Sequence, residues 1–156
     1  MSIERTVQLT ADGKARLEAE LVHLRDVKMR ELFQSVQDAN TNNEASDSSE
    51  YEEIKDELAY TEAKVRELEQ LLDNAEIIVE GSPDGVVALG SRVTVRGEDG
   101  ITETWVIVSP EEATAEEFRV SVDSPVGEAL TGCKAGDAVS VETPFGEFTY
   151  TVVEVN

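Results

Sequence analysis

The stretch "SSEYEEIKDELAYTEAKVRELEQLLDNAEII", residues 48–78, decides the fold of the N-terminal half. Its apolar or small side chains recur at alternating spacings of four and three, a heptad-like stripe that predicts one long amphipathic helix. Ser48 or Ser49 is a candidate N-cap, and Glu52 lies three residues beyond Ser49, as in a capping box. The members of the stripe are Ile54, Leu58, Thr61, Val65, Leu68 and Leu72.

The segment that precedes it, residues 9–39, has a similar but interrupted pattern. Thr10 is a candidate N-cap, and Gly13 follows closely. The pattern is broken at Lys28, where a charged residue stands in the stripe. A second amphipathic helix is therefore predicted, with its stripe formed by Leu17, Leu21, Leu24, Leu32 and Val36.

Neither helix is expected to be stable alone, because each has one narrow apolar stripe and otherwise charged faces. Joined by a short loop, the two stripes can cover each other in an antiparallel helical hairpin. A helix of about 25 residues is roughly 35–40 Å long. The predicted arm is long and thin, with an acidic tip at about residues 40–50.

The composition changes after "GSPDG", residues 81–85, where glycine becomes frequent and β-branched residues alternate with polar ones. Two short helical turns are predicted within this half, at residues 110–117 and 125–132. The predicted fold class is α+β, with a coiled-coil hairpin over residues 1–80 and a β-rich domain over residues 81–156. The five predicted strands are "SRVTVRG" (91–97), "ETWVIVS" (103–109), "FRVSVD" (118–123), "DAVSVET" (137–143) and "FTYTVVEV" (148–155).

The composition limits the classes of partner. The formal net charge of −21 repels nucleic acid and anionic lipid at long range, and it favours basic partners or bound cations. The alternative is that the negative charge only keeps the protein soluble or suits a cytoplasm of high salt concentration. A single cysteine excludes an intramolecular disulfide, and no apolar run approaches a membrane span. We expect a cytoplasmic monomer without membrane contact.

The sequence contains few residues in combinations typical of an active site. His23 has no second metal-ligating residue near it in sequence, and Cys133 has no neighbouring histidine to activate it. No phosphate-binding glycine loop is present. The carboxylates of Glu44 and Asp47 remain, either as solvated charge or as part of a Mg²⁺ site completed by a partner.

Three separated signatures resemble those of the bacterial Gre transcription elongation factors, a family that includes Gfh-type relatives. They are "LTADGKARLEAELVHL" (9–24), the long helical stretch at 48–78, and "SPVGEALTGCKAGDAV" (124–139). In the helical stretch the matching positions are Glu62, Val65, Leu68, Glu69, Leu72 and Ala75. The signatures occur in the family's order and cover nearly the whole chain.

The resemblance implies an accessory factor rather than an enzyme. An FKBP-like C-terminal domain docks on RNA polymerase, and the coiled coil enters the secondary channel. Tip carboxylates there share Mg²⁺ with the polymerase, which hydrolyses the backtracked 3′ end of nascent RNA. Carried over by position, Glu44 and Asp47 are the tip carboxylates. Glu50, Tyr51 and Lys55 support the tip, and the polymerase contacts are Ser124, Pro125, Ala129 and Leu130.

The tip departs from the family pattern. "EASDSSEY", residues 44–51, stands where the family usually has Asp-Leu-Ser-Glu-Asn-Ala-Glu-Tyr, so Glu44 replaces an aspartate and Asp47 a glutamate. Asn40 replaces a customary base. Two functions are compatible with this tip: stimulation of transcript cleavage, or Gfh-type inhibition or pausing without cleavage. A coiled-coil scaffold unrelated to polymerase is a third alternative.

Overall fold

The computed structural model describes residues 6–41 and 49–156, and it describes the side chains of residues 6–39 and 49–156. The chain divides into two compact units, which are described separately. The first contains Ala15–Ala75, and the second combines Arg5–Lys14 with Glu76–Asn156.

The first unit is a helical hairpin. Helix α1 (Ala11–His23) belongs to it from Ala15 onward and continues through a π-helical segment (Leu24–Lys28) into α2 (Met29–Thr41). Its second helix, α3, runs over Ser49–Asp73 and packs against α2 and the π-helical segment. The predicted stripes are confirmed, since the buried side chains of this unit are Leu17, Leu21, Leu32, Thr61, Val65 and Leu68.

The break in the first stripe coincides with the π-helical segment. The N–H of Met29 donates to the carbonyl of Leu24, five residues back, which is the π-helical pattern. Lys28 is half-buried there, and its Nζ lies 2.8 Å from Oε1 of Glu57 on α3. The hydrogen bond to Glu57 and the negative charge of that carboxylate raise the pKa of Lys28. The lysine that interrupts the stripe is therefore partly exposed and is paired across the hairpin.

The predicted second helix is too long at its C-terminal end. α3 ends at Asp73, and Ala75–Ile78 forms strand β2, which pairs with β1 (Val7–Thr10) in a two-stranded sheet. The apolar pattern predicted helix as far as residue 78 because Ala75, Ile77 and Ile78 are apolar. β-branched residues favour a strand where a partner strand is available, and β1 is that partner.

The five strands predicted in the second half are all present. They are β3 (Arg92–Arg96), β4 (Thr102–Val108), β5 (Arg119–Ser121), β6 (Ala138–Thr143) and β7 (Gly146–Val155), in the order β5-β4-β3-β7-β6. All neighbours are antiparallel except β4 and β5.

Both helical turns are also present, as a 3₁₀ turn at Ala115–Glu117 and the short helix α4 at Pro125–Leu130. The core of the unit consists of Val87, Val93, Val95, Trp105, Ile107, Leu130 and Val152. The α+β fold class is confirmed. Within residues 6–41 and 49–156 no helix has the length and apolar character that a membrane span requires.

Val65→Ala tests whether the stripe holds the hairpin. The side chain is 8% exposed, and two carbons are lost at about 0.8 kcal/mol each plus a cavity term, so the free energy of unfolding should fall by about 2 kcal/mol. Val22, 47% exposed, offers a matched Val→Ala control with an expected change below about 0.5 kcal/mol. Urea unfolding followed by circular dichroism at 222 nm measures both, and equal losses would contradict the assignment.

Candidate functional site

The two tip carboxylates, Glu44 and Asp47, lie outside the residues that the structure describes. Their assignment stays a prediction from the sequence. Helix α2 ends at Thr41 and α3 begins at Ser49, so seven residues connect the described helices.

The first turns of α3 carry the predicted supporting residues. The Nζ of Lys55 lies 5.3 Å from the centroid of the Tyr51 ring, within the range of a cation–π contact and at the i, i+4 spacing of helical neighbours. Glu50 is exposed in the first turn, where the helix dipole favours a carboxylate. This end of α3 therefore presents a cation over an aromatic ring beside exposed acids.

The described acids do not form a metal site of their own. Glu50, Glu52 and Glu53 are all exposed in the first turns of α3; Glu50 and Glu53 lie on the same face and Glu52 lies on another. In the described parts of the chain no group of three or more His, Cys, Asp or Glu side chains is arranged to hold a metal ion. Any metal at this end requires ligands from residues 42–48 or from a partner.

The "SPVGEAL" signature builds helix α4. Ser124 is its N-cap, since Oγ accepts a hydrogen bond from the Gly127 N–H at 3.0 Å and donates to the Ser121 carbonyl at 2.7 Å. Pro125 occupies the start of the helix, where its missing N–H costs nothing. Gly127 is required because a Cβ there would lie 2.0 Å from the Ser121 oxygen.

Not all the predicted polymerase contacts are accessible. Leu130 is 0% exposed in the core, so it can affect a partner only by holding α4 in place. Pro125 is exposed, and Ser124 and Ala129 are half-buried. These three remain the predicted contact residues.

The sequence alone does not predict a buried network around Glu112. This carboxylate is 0% exposed. Its Oε1 accepts a hydrogen bond from the Thr10 N–H at 2.8 Å, and its Oε2 accepts from Thr10 Oγ1 and from Arg119 Nη1, both at 2.6 Å. The guanidinium of Arg119 also lies near Glu80 and Asp12, at 3.3 and 3.5 Å. Three charge-assisted hydrogen bonds offset the cost of burying the carboxylate.

This network explains the "LT-x-x-G" spacing at the start of the chain. Thr10 is an N-cap, as predicted, because its Oγ1 accepts from the Gly13 N–H at 3.0 Å. A Cβ on Gly13 would lie 2.1 Å from the Cδ of Glu112, so only glycine leaves room for the carboxylate. Leu9 is 0% exposed beside it. The signal available in the sequence was a glycine inside the first helical turn, where alanine is intrinsically favoured.

His23 and Cys133, which the sequence analysis did not assign to catalysis, lie in structural settings without a catalytic partner among the described residues. His23 is exposed in the last turn of α1. Cys133 is half-buried, and its Sγ donates to the Ala129 carbonyl at 3.4 Å. Burial, followed by the charge of Asp137, raises the pKa of the Cys133 thiol, which makes the reactive thiolate scarcer at neutral pH.

Comparisons with known proteins cover both halves. The family model described as "Transcription elongation factor, N-terminal" (GreA/GreB) matches residues 7–77, and the one described as "Transcription elongation factor, GreA/GreB, C-term" matches residues 82–156. The chain is 43% identical to the "Transcription elongation factor GreA" of Chloroflexus aggregans, over 97% of this chain and 98% of that protein. It is 38% identical to the same-named protein of Bacillus subtilis over the full length of both.

A solved structure is also similar in sequence. The "GreA factor homolog 1 (Gfh1) protein of Thermus thermophilus" is 34% identical, with 97% of this chain and 99% of that chain covered and a TM-score of 0.48.

A double-mutant cycle tests the fit of Gly13 against Glu112. Gly13→Ala should destabilise the second unit by about 2 kcal/mol, because overpacking of a filled site typically costs about 1–3 kcal/mol. In a Glu112→Ala background the obstacle is gone, and the same substitution should be neutral or stabilising, since alanine has the higher helix propensity. Chemical denaturation of the four proteins measures the coupling. An equal cost of Gly13→Ala in both backgrounds would refute the contact.

Cys133 should react slowly with iodoacetamide at pH 7.5. Because its pKa is raised, the thiolate fraction of the folded protein is lower than that of an ordinary cysteine and increases only at higher pH. The same chain unfolded in urea is the control and should react faster. Faster alkylation of the folded protein would indicate an activated nucleophile instead.

Proposed function

Because the chain belongs to the GreA/GreB family of transcription elongation factors, we propose that it binds the RNA polymerase secondary channel and stimulates cleavage of backtracked RNA. The chain is an accessory factor rather than an enzyme in its own right. The hydrolysis is performed by the polymerase active site, and this chain supplies groups to it.

The observation that carries the proposal is the match of both halves in one chain. One family model covers the hairpin and the other covers the β-rich half, together spanning residues 7–156 apart from four between them. Relatives at about 40% identity align over nearly their whole lengths. A factor that needs an arm and a docking domain has both parts here.

The tip carboxylates suit a shared metal. Carboxylate oxygens are preferred ligands of Mg²⁺, which usually keeps several waters and binds one or two protein carboxylates. Glu44 and Asp47 would supply such oxygens, and the polymerase would supply the others. When bound, Mg²⁺ lowers the pKa of a water and neutralises charge at the phosphoryl group. The carboxylates of Glu44 and Asp47 would hold the ion and would accept hydrogen bonds from that water.

The residues beside the tip suit RNA. Lys55 lies over the ring of Tyr51 and is exposed, so its ammonium is accessible to a phosphate oxygen. Glu50 lies one residue before Tyr51 on the same exposed end and supports the tip. In this proposal Lys55 offsets part of the repulsion between an acidic tip and the RNA backbone.

The exposed edge of α4 suits polymerase docking. Pro125 is exposed at the helix start, Ser124 directly precedes it, and Ala129 lies about one turn later on the same face. The rigid Ser124 cap holds the edge in one conformation, which lowers the entropy cost of binding. The factor is proposed to act as a monomer in the cytoplasm, where the polymerase works.

One observation favours the Gfh-type alternative of inhibition without cleavage. The described end of α3 is dense in exposed acid, with Glu50, Glu52 and Glu53 close together, and Asn40 stands where the family usually has a base. Such an end holds extruded RNA less firmly. The two functions differ in one measurable product, the short 3′ RNA fragment.

A backtracked elongation complex with purified factor tests the proposal. Added protein should accelerate release of short 3′ fragments, and Asp47→Ala should reduce that rate by about 10²-fold, a loss typical of removing one group that stabilises transition-state charge. Asp73→Ala, at the far end of α3, is the matched control and should keep the rate. Slower nucleotide addition without fragment release would favour the Gfh-type function.

The swapped carboxylate lengths deserve a separate variant. Glu44→Asp combined with Asp47→Glu restores the family's order of side-chain lengths while conserving charge. Because the family's order of lengths is restored, this double variant should support cleavage at least as fast as the natural chain does in the same assay. A rate as low as that of Asp47→Ala would show that this chain's tip is built around its own lengths.

A further inference from the structure

A groove of about 370 Å³ lies in the second unit, where the β3–β4 turn meets the start of β7. Its volume is within the range of protein binding pockets, roughly 300–1,000 Å³. Its lining residues are Val95, Gly97, Glu98, Asp99, Ile101, Glu103, Phe148, Thr149 and Tyr150.

The groove continues the core face of the sheet beyond the part that α4 covers. Val95 is buried in the core, and Glu103 is its direct partner on β4, so both side chains lie on the same face. Phe148 and Tyr150 alternate along β7 with the core residue Val152 and share that face. Helix α4 packs on β5 and β6, and it has only six residues.

Apolar surface is left open in this groove. Phe148 is 42% exposed and Ile101 is 60% exposed. Tyr150 stacks edge-on against Trp105, with ring centroids 5.3 Å apart, which makes the floor rigid. A rigid, partly uncovered aromatic floor favours the burial of a partner's large apolar side chain.

The walls of the groove are acidic. The indole N–H of Trp105 donates to Glu103 at 3.1 Å, which fixes that carboxylate on an otherwise apolar face. Asp99 accepts from the Ile101 N–H at 3.0 Å in the turn, and Glu98 is exposed beside it. No lysine, arginine or histidine occurs among the described residues that line the groove.

We propose that this groove binds a basic amphipathic polypeptide segment of a partner protein. Its apolar side chain covers Phe148 and Ile101, and its lysine or arginine side chains pair with the surrounding carboxylates. Opposite charge supplies the attraction and excludes acidic segments, while the aromatic floor supplies the buried area. The residues that line this groove include none of the predicted tip residues and neither Ser124 nor Pro125, so the proposal does not depend on the cleavage function.

The single tryptophan provides the readout. Trp105 touches both Tyr150 and Glu103, which line the groove, so occupancy should change its fluorescence. The probe is a synthetic twelve-residue peptide of repeating Lys-Leu-Lys-Phe. Two matched peptides replace every lysine by glutamate, or every leucine and phenylalanine by serine. Only the original Lys-Leu-Lys-Phe peptide should give a saturable change in the fluorescence of Trp105.

Variants of the full chain localise the binding. Glu98→Lys, at an exposed turn position, should weaken binding about tenfold, because like charges would then face each other. Phe148→Ser should weaken it similarly, and circular dichroism checks that this variant folds. The controls are Glu116→Lys, an exposed acid outside the groove, and Phe33→Ser on α2, which is 48% exposed. Both should bind as the natural chain does.

Each other outcome overturns the proposal. Equal affinity for the lysine–serine peptide would show general attraction to an acidic protein. If Glu116→Lys weakened peptide binding as much as Glu98→Lys does, the attraction would likewise be general and not specific to the groove. Unchanged binding in Glu98→Lys and Phe148→Ser would place the peptide elsewhere, and the absence of a saturable fluorescence change would exclude the groove. Retained RNA cleavage in Glu98→Lys separates this result from any failure of the proposed tip function.

Discussion

The buried carboxylate of Glu112 is the constraint on which the start of the first helix depends. A carboxylate without water must be paired and hydrogen-bonded, and Thr10 and Arg119 supply both. The same threonine caps α1. At position 13 only glycine leaves room for the Glu112 carboxylate. Removing one partner of such a buried pair typically costs about 3–5 kcal/mol. The N-terminal segment, far from Glu112 in sequence, is thereby part of the second unit.

The hairpin is held by apolar packing, and its charges contribute little to it. The ion pairs between its helices join partly exposed side chains, as for Lys28 with Glu57 at 2.8 Å and Arg25 with Glu69 at 3.9 Å. Exposed pairs are worth about 0–1 kcal/mol each. The chain has 34 acidic against 13 basic residues, so its acids outnumber the cations that could pair with them one to one. The surplus charge is consistent with recognition by cations and basic partners, at the tip and at the groove.

The sequence predicted what depends on periodicity and missed what depends on distant contacts. The stripe of α3 and all five strands of the second half follow from spacings of 3.5 and 2, and each is present. The strand at Ala75–Ile78 was misassigned as helix, because only its pairing with β1 makes it a strand. Glu112 could not be recognised as buried from its local sequence, since its partner Thr10 lies 102 residues away. Leu130 was predicted at a partner surface, and the structure buries it in the core.

In the proposed mechanism, Glu44 and Asp47 complete a Mg²⁺ site on the polymerase. The Mg²⁺ concentration that gives half-maximal cleavage of a backtracked transcript measures this contribution. The natural chain should lower this concentration. The Glu44→Gln, Asp47→Asn double variant, which keeps the side-chain sizes but removes both charges, should leave it at the value of polymerase alone. A Mg²⁺ requirement that the natural chain does not change, or that both chains lower equally, would contradict the account.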